Sequence, residues 1–174
     1  MRGIGGESRK EFLEVAETVM ERFLALPENP DKTRTGGYLA VMDNGKMRMV
    51  VELGVTQTKK ADKYFRLCQE KVGRLAALSK GGEISSWQSR DTARGQFGGG
   101  ITPPKDSGGV PNGQGMIGAI SGLSEHGDEA VTLVIWMVFR WLVLGDAKRI
   151  IDISENPLFV LLLEVCTDLF DREV

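Results

Sequence analysis

Apolar residues recur at helical spacing near the start of the chain. Phe12, Val15, Ala16, Val19, Met20 and Phe23 fall three or four positions apart, which predicts an amphipathic helix. Ser8 and Glu11 have the spacing of a capping box, so the helix is expected to start at Ser8. Pro27 and Pro30 end it, and the polar loop PENPDKTRTGG follows. The period then changes to two. Tyr38 to Met42 is an apolar run of strand length, and Met47, Met49, Val51 and Leu53 alternate with Arg48, Val50 and Glu52. Asp43-Asn44-Gly45 between them tolerates the positive φ of a type I′ turn, so 38–55 reads as a β-hairpin. Helical period returns over 59–79. Ala61, Phe65, Cys68, Val72, Leu75 and Ala76 form one face; Lys59, Lys60, Asp62, Arg66, Glu70 and Lys71 form the other, which reads as solvated.

From Gly95 to Gly122 the pattern lapses. Ten of those 28 positions are glycine and three are proline, which rules out a regular helix. Met116 to Ser121 reads as a short strand of small residues. Asp128 and Glu129 then open a helix with acids at its favourable end. That helix is apolar almost throughout 130–144, with Arg140 the one interruption and Gly145 as its stop. AKRIIDI (147–153) suits a strand or a short helix. Ser154-Glu155-Asn156-Pro157 signals a final helix, LFVLLLEVCTDLF. A helix apolar all round has to be buried on several sides, so either the C-terminal helix or another subunit is expected to cover 130–144.

The order of elements predicts an α+β fold: a small antiparallel sheet flanked by helices, in one domain spanning 1–174 with a helical extension from about 146. Composition narrows the function. The chain has 174 residues, 41% hydrophobic and 26% charged, with 22 basic against 24 acidic side chains. That is globular composition, and without a basic stripe no nucleic-acid surface is expected. The 15-residue apolar stretch is too short for a membrane span. The opening MRGIGGESRK lacks a basic-plus-apolar leader, so a cytoplasmic protein is expected. Cys68 and Cys166 lie in apolar patterns and read as buried hydrophobes. Gly113, Gly115 and Gly118 spell G-x-G-x-x-G, but a Gly/Pro loop precedes them and a strand follows, the reverse of a dinucleotide fingerprint. A single histidine excludes a multi-histidine metal centre, and without a G-x-S-x-G elbow a serine hydrolase is disfavoured.

GGGITPP (98–104) followed by GMIGAISGLSEHGDEAV (115–131) resembles the GlcG/HbpS-like haem-binding family, whose domain also ends PduO-type proteins. AVMDNGKMRM resembles that family's first hairpin, and EKVGRLAA (70–77) its central helix. The resemblance covers roughly 38–135. It departs in the long insert ITPPKDSGGVPNGQ, in the bulkier apolar helix, and in the tail after 146. It implies a profilin-like or PAS-like sheet, self-association into dimers or larger assemblies, and haem or another flat ligand as cofactor, with haem degradation in some members. His126 is then the candidate haem iron ligand or acid/base, and Lys71 and Arg74 are candidates for a propionate. Arg90 can grip a carboxylate bidentately, and Gly98, Gly99 and Gly100 can form an anion-binding nest. Thr102 belongs to the same motif and joins the candidate ligand residues.

The leading expectation is thus an oligomeric protein binding haem or another small anionic or flat ligand near the glycine loop. The alternatives are a sensor or assembly module without haem, and an enzyme acting on a small carboxylate through Arg90, Lys71 or His126.

Overall fold

In the computed structural model, residues 6–106 and 115–171 are described. The first helix, α1, spans Gly6–Ala25. It begins two residues ahead of Ser8, so the expected capping box lies inside the helix. The hairpin follows as β1 (Gly36–Asp43) and β2 (Lys46–Gly54). Asn44 and Gly45 carry φ of 48° and 77°, the left-handed values that a two-residue type I′ turn requires. The register shifts between Val41 and Met42, leaving Arg48 as an extra residue on β2. Helix α2 runs Thr58–Leu78. The glycine triplet leads into a two-residue strand, β3 (Gly100–Ile101), and β4 is Met116–Ser121. All pairings are antiparallel, in the order β2-β1-β4-β3. The fold is therefore α+β, a sheet flanked by helices.

The two faces of the sheet are covered unequally. On one, Ala40, Ile117 and Ala119 meet Cys68, Val72 and Leu75 of α2 in a small apolar cluster. On the other, Leu39, Val41 and Ile120 join the main core with α1 and α3 (Glu125–Val138). Alternation along each strand sends successive side chains to opposite layers.

Three boundaries differ from expectation. α3 opens at Glu125, capped by Ser124, whose hydroxyl accepts from the Gly127 N–H. Asp128 and Glu129 are therefore buried within it. It ends at Val138, well before Gly145: Arg140 turns left-handed (φ 55°), and Phe139 and Trp141 fold back onto Phe12. Gly145 lies instead in the first turn of α4 (Leu144–Ser154), so AKRIIDI is helical. Helix α5 (Leu158–Val165) follows Pro157, with Asn156 Oδ1 accepting from the Leu158 N–H. α5 and α1 pack on α3 within the chain. The apolar helix is thus covered without a second subunit, and that ground for an oligomer falls away. Both cysteines are buried and free. Among the described residues no helix is long and apolar enough to cross a membrane.

Of the glycines in the rejected nucleotide pattern, Gly118 serves packing. Gly113 lies outside the described residues. A Cβ on Gly118 would stand 2.1 Å from the Trp136 ring, so the absence of a side chain at that point of β4 is what admits the indole. Replacing Gly118 with Ala should therefore force Trp136 to move and lower stability by about 1–3 kcal/mol. Urea unfolding of the variant against wild type measures it.

Candidate functional site

The candidate residues converge where β3 gives out. The last pair joining β3 to β4 is Gly100↔Ala119, so Ile120 has no strand partner on that side. Lys71 takes the place of one. Its Nζ donates to the Ile120 carbonyl and to Asp128 Oδ2, each at 2.7 Å. Asp128 Oδ1 accepts from the Leu123 N–H at 2.9 Å. Lys71 comes from α2 on one face of the sheet, Asp128 from α3 on the other. Gly99 lets the two meet: its φ is +99°, and a Cβ there would stand 2.7 Å from Asp128 Cβ and 3.3 Å from Lys71 Nζ. The expectation of a solvated Lys71 is thus corrected: the side chain is 1% exposed. The sequence carried a signal for this, because Lys71 falls between Cys68 and Leu75 on the buried stripe and Phe65, expected inside, is 42% exposed. Burial pushes the Asp128 carboxyl up to about 6, while the Lys71 ammonium and the Leu123 N–H pull the other way.

The nest at Gly98–Gly100 already holds the chain's own groups. Gly98 N–H donates to Glu125 Oε1 at 2.9 Å, and Gly100 N–H to the Ser86 hydroxyl at 2.8 Å. Arg90 grips the same Glu125 carboxylate from the side and lies over the Trp87 ring. Burial of Glu125 raises its pKa, but Arg90 and the Gly98 N–H outweigh that and leave it below the usual value. Arg74 ties down the same loop, donating to the carbonyls of Ser86, Ser89 and Phe97. Arg90 and Arg74 are thus structural clamps. Thr102 stands apart: its hydroxyl donates to the Met116 carbonyl, and it lines a different hollow with Pro103 and Pro104.

His126 belongs to the first turn of α3, not to a loop before it. Its ring stacks on Trp87 (centroids 4.9 Å apart, planes 21° apart), and Nε2 lies 3.0 Å from the Ser154 carbonyl. It faces a buried polar knot around Glu129, whose carboxylate accepts from Ser154, Asn156 and Ser85. Desolvation raises the Glu129 pKa. A haem iron at His126 Nε2 would have to displace the Ser154 carbonyl from that nitrogen. Among the described residues no group of His, Cys, Asp and Glu could hold a metal ion either.

Lys71 and Asp128 form the floor of a cleft of about 330 Å³. Around them stand Lys60, Lys63, Tyr64 and Leu67 of α2, Ser124 and Glu125 at the start of α3, and Arg34 and Phe97. Arg34 is set by Asp31 and by the Gly122 and Leu123 carbonyls, and its guanidinium lies over Tyr64. Lys60 and Lys63 are exposed and have no ion-pair partner among the described residues. Sequence reasoning missed Arg34, Tyr64 and Lys63 as cleft residues. Helical phase was the available signal: Lys60, Lys63, Tyr64 and Leu67 share one flank of α2 with Lys71.

Removing one partner of a buried ion pair costs about 3–5 kcal/mol. Lys71→Met should lose that much at pH 7.5. The lone Asp128 carboxyl then titrates above its already raised pKa. It is neutral at low pH, so the loss should shrink at pH 5 and grow as pH rises. The double variant Lys71→Met/Asp128→Leu should recover most of the loss. Urea unfolding of the three proteins at both pH values tests this.

No family model, curated protein or solved structure matches this chain, so its function has to be read from these residues.

Proposed function

We propose that the chain is a small-ligand-binding protein, and that its ligand is an organic anion held in the cleft beside the glycine triplet. The observation that carries this is the lining: four cationic side chains, Arg34, Lys60, Lys63 and Lys71, against two carboxylates. Two of the cations already serve internal partners, which leaves Lys60 and Lys63 to meet an acidic group at the mouth. The first turn of α2 adds to the positive field, since it carries lysines and no acid. Tyr64, Leu67 and Phe97 supply an apolar wall, so the anion has an aromatic or aliphatic body. The cleft lies at the small end of ligand sites, which suits a molecule the size of a substituted benzoate.

Recognition describes this lining better than catalysis. The Ser124 hydroxyl is taken up in capping α3, and the one histidine, His126, faces Ser154 and Trp87 and is not part of the lining. This reading keeps the ligand where the GlcG/HbpS resemblance implies one, and replaces haem with a smaller anion.

The test is calorimetric titration with benzoate, phthalate and phenyl phosphate, with benzamide as the neutral control. At least one anion should bind saturably and raise the melting temperature, with stabilisation of about 2.7 kcal/mol at a hundred times Kd. Added salt should weaken it, and Lys60→Gln/Lys63→Gln should weaken it about tenfold or more without moving the melting temperature of the free protein. Anions that bind no better than benzamide would overturn the reading.

A further inference from the structure

The inner part of the cleft holds donors that the fold does not use. Ser121 is the last residue of β4 and lies opposite Tyr38. Cross-strand partners share a face, so Ser121 stands with Tyr38 on the α2 side of the sheet. It is 3% exposed and lines the cleft. Its hydroxyl makes no hydrogen bond among the described residues. A buried hydroxyl is normally paired, because a lone one gives up its water for nothing.

Arg34 stands beside it. Its Nη1 donates to the carbonyls of Gly122 and Leu123, the two residues that follow Ser121, and its Nε donates to Asp31 at 2.7 Å. The Nη2 amino group makes no hydrogen bond among the described residues, and the side chain is 30% exposed. Three bonds and the Tyr64 ring therefore hold the guanidinium in place and leave one edge of it unspent. Lys71 gives two of its three ammonium hydrogens to Ile120 and Asp128.

The acceptors nearby are already taken. The carboxylates in the lining are Glu125, held by Arg90 and the Gly98 N–H, and Asp128, held by Lys71 and the Leu123 N–H. Spare donors without spare acceptors suit an anionic oxygen. The charge of the lining agrees. Four cations stand against two carboxylates, so a ligand with one negative charge leaves a cation unmatched.

We infer that the ligand carries two acidic groups. One meets Lys60 and Lys63 at the mouth. The other lies deeper, where Arg34 Nη2 and the Ser121 hydroxyl donate to it. This rests on the anion reading above and narrows it to dianions with an apolar body. Arg34 and Ser121 are then the residues that select the ligand.

Calorimetric titration with phthalate, isophthalate and terephthalate, against benzoate, tests this at pH 7.5. The three set two carboxylates at increasing separation on one ring. At least one should bind about tenfold or more tighter than benzoate. Ser121→Ala and Arg34→Gln should each cut that preference about fivefold or more. The readout is the ratio of the two dissociation constants, because partial unfolding weakens both ligands together and leaves the ratio unchanged. Ser121→Ala removes a hydroxyl that holds nothing in the free protein, so its melting temperature should not fall. Three dicarboxylates that bind no tighter than benzoate overturn the inference and leave the anion reading standing. A preference that survives both substitutions overturns the deeper site. Anions that bind no better than benzamide overturn the anion reading, and this inference with it.

Discussion

The layers of this fold are joined by one buried ion pair. Lys71 and Asp128 come from helices on opposite faces of the sheet, and they meet at the point where β3 stops and Gly99 leaves no side chain in the way. Each charge loses its water, so each depends on the other and on the Ile120 carbonyl and Leu123 N–H that complete the shell. The start of α3, the end of β4 and the middle of α2 are held in register by this contact. The cleft exists because they are. Its floor is the pair itself, and its walls come from the first half of α2, the start of α3, and Arg34 and Phe97.

Around that pair, polar groups that look like a binding site serve to build one. Glu125 fills the glycine nest, Arg90 clamps Glu125, and Arg74 collects three loop carbonyls. These contacts fix the segment from Ser85 to Gly100, which has little regular structure of its own. The residues left for a ligand are the plainer ones, the lysines at the rim of α2 and the ring of Tyr64. A frame tied by its own hydrogen bonds, with exposed lysines at its mouth, is the arrangement on which the proposed anion binding rests.

The elements with strict period were legible in the sequence. The hairpin, α2, the β4 strand and the start signal of α5 follow from alternation, helical spacing and turn residues. The α3 boundaries were not, because they depend on tertiary events: Ser124 rather than Asp128 is the cap, and Arg140 turns left-handed so that Trp141 can return to Phe12. The site was legible in part. Lys71, Arg90, Gly98, Gly99 and His126 do lie around the α3 N-terminus, but their roles are set by partners far along the chain. Lys71 and Asp128 are 57 positions apart, and Arg90 and Glu125 are 35 apart. Periodicity reports which side of a helix a residue occupies. It does not report that a lysine on the buried side has a carboxylate waiting for it.

The edges of the sheet have a consequence of their own. A row of free N–H and C=O groups invites other chains to add strands without limit, and this is how ordered proteins come to grow fibres. Here one edge is only two residues long. The other is broken by the extra residue at Arg48 and ends where Glu17 occupies the Gly54 N–H. Growth by strand addition is thus blocked at both borders, so the chain can carry an apolar, β-rich surface at high concentration without offering a template for aggregation.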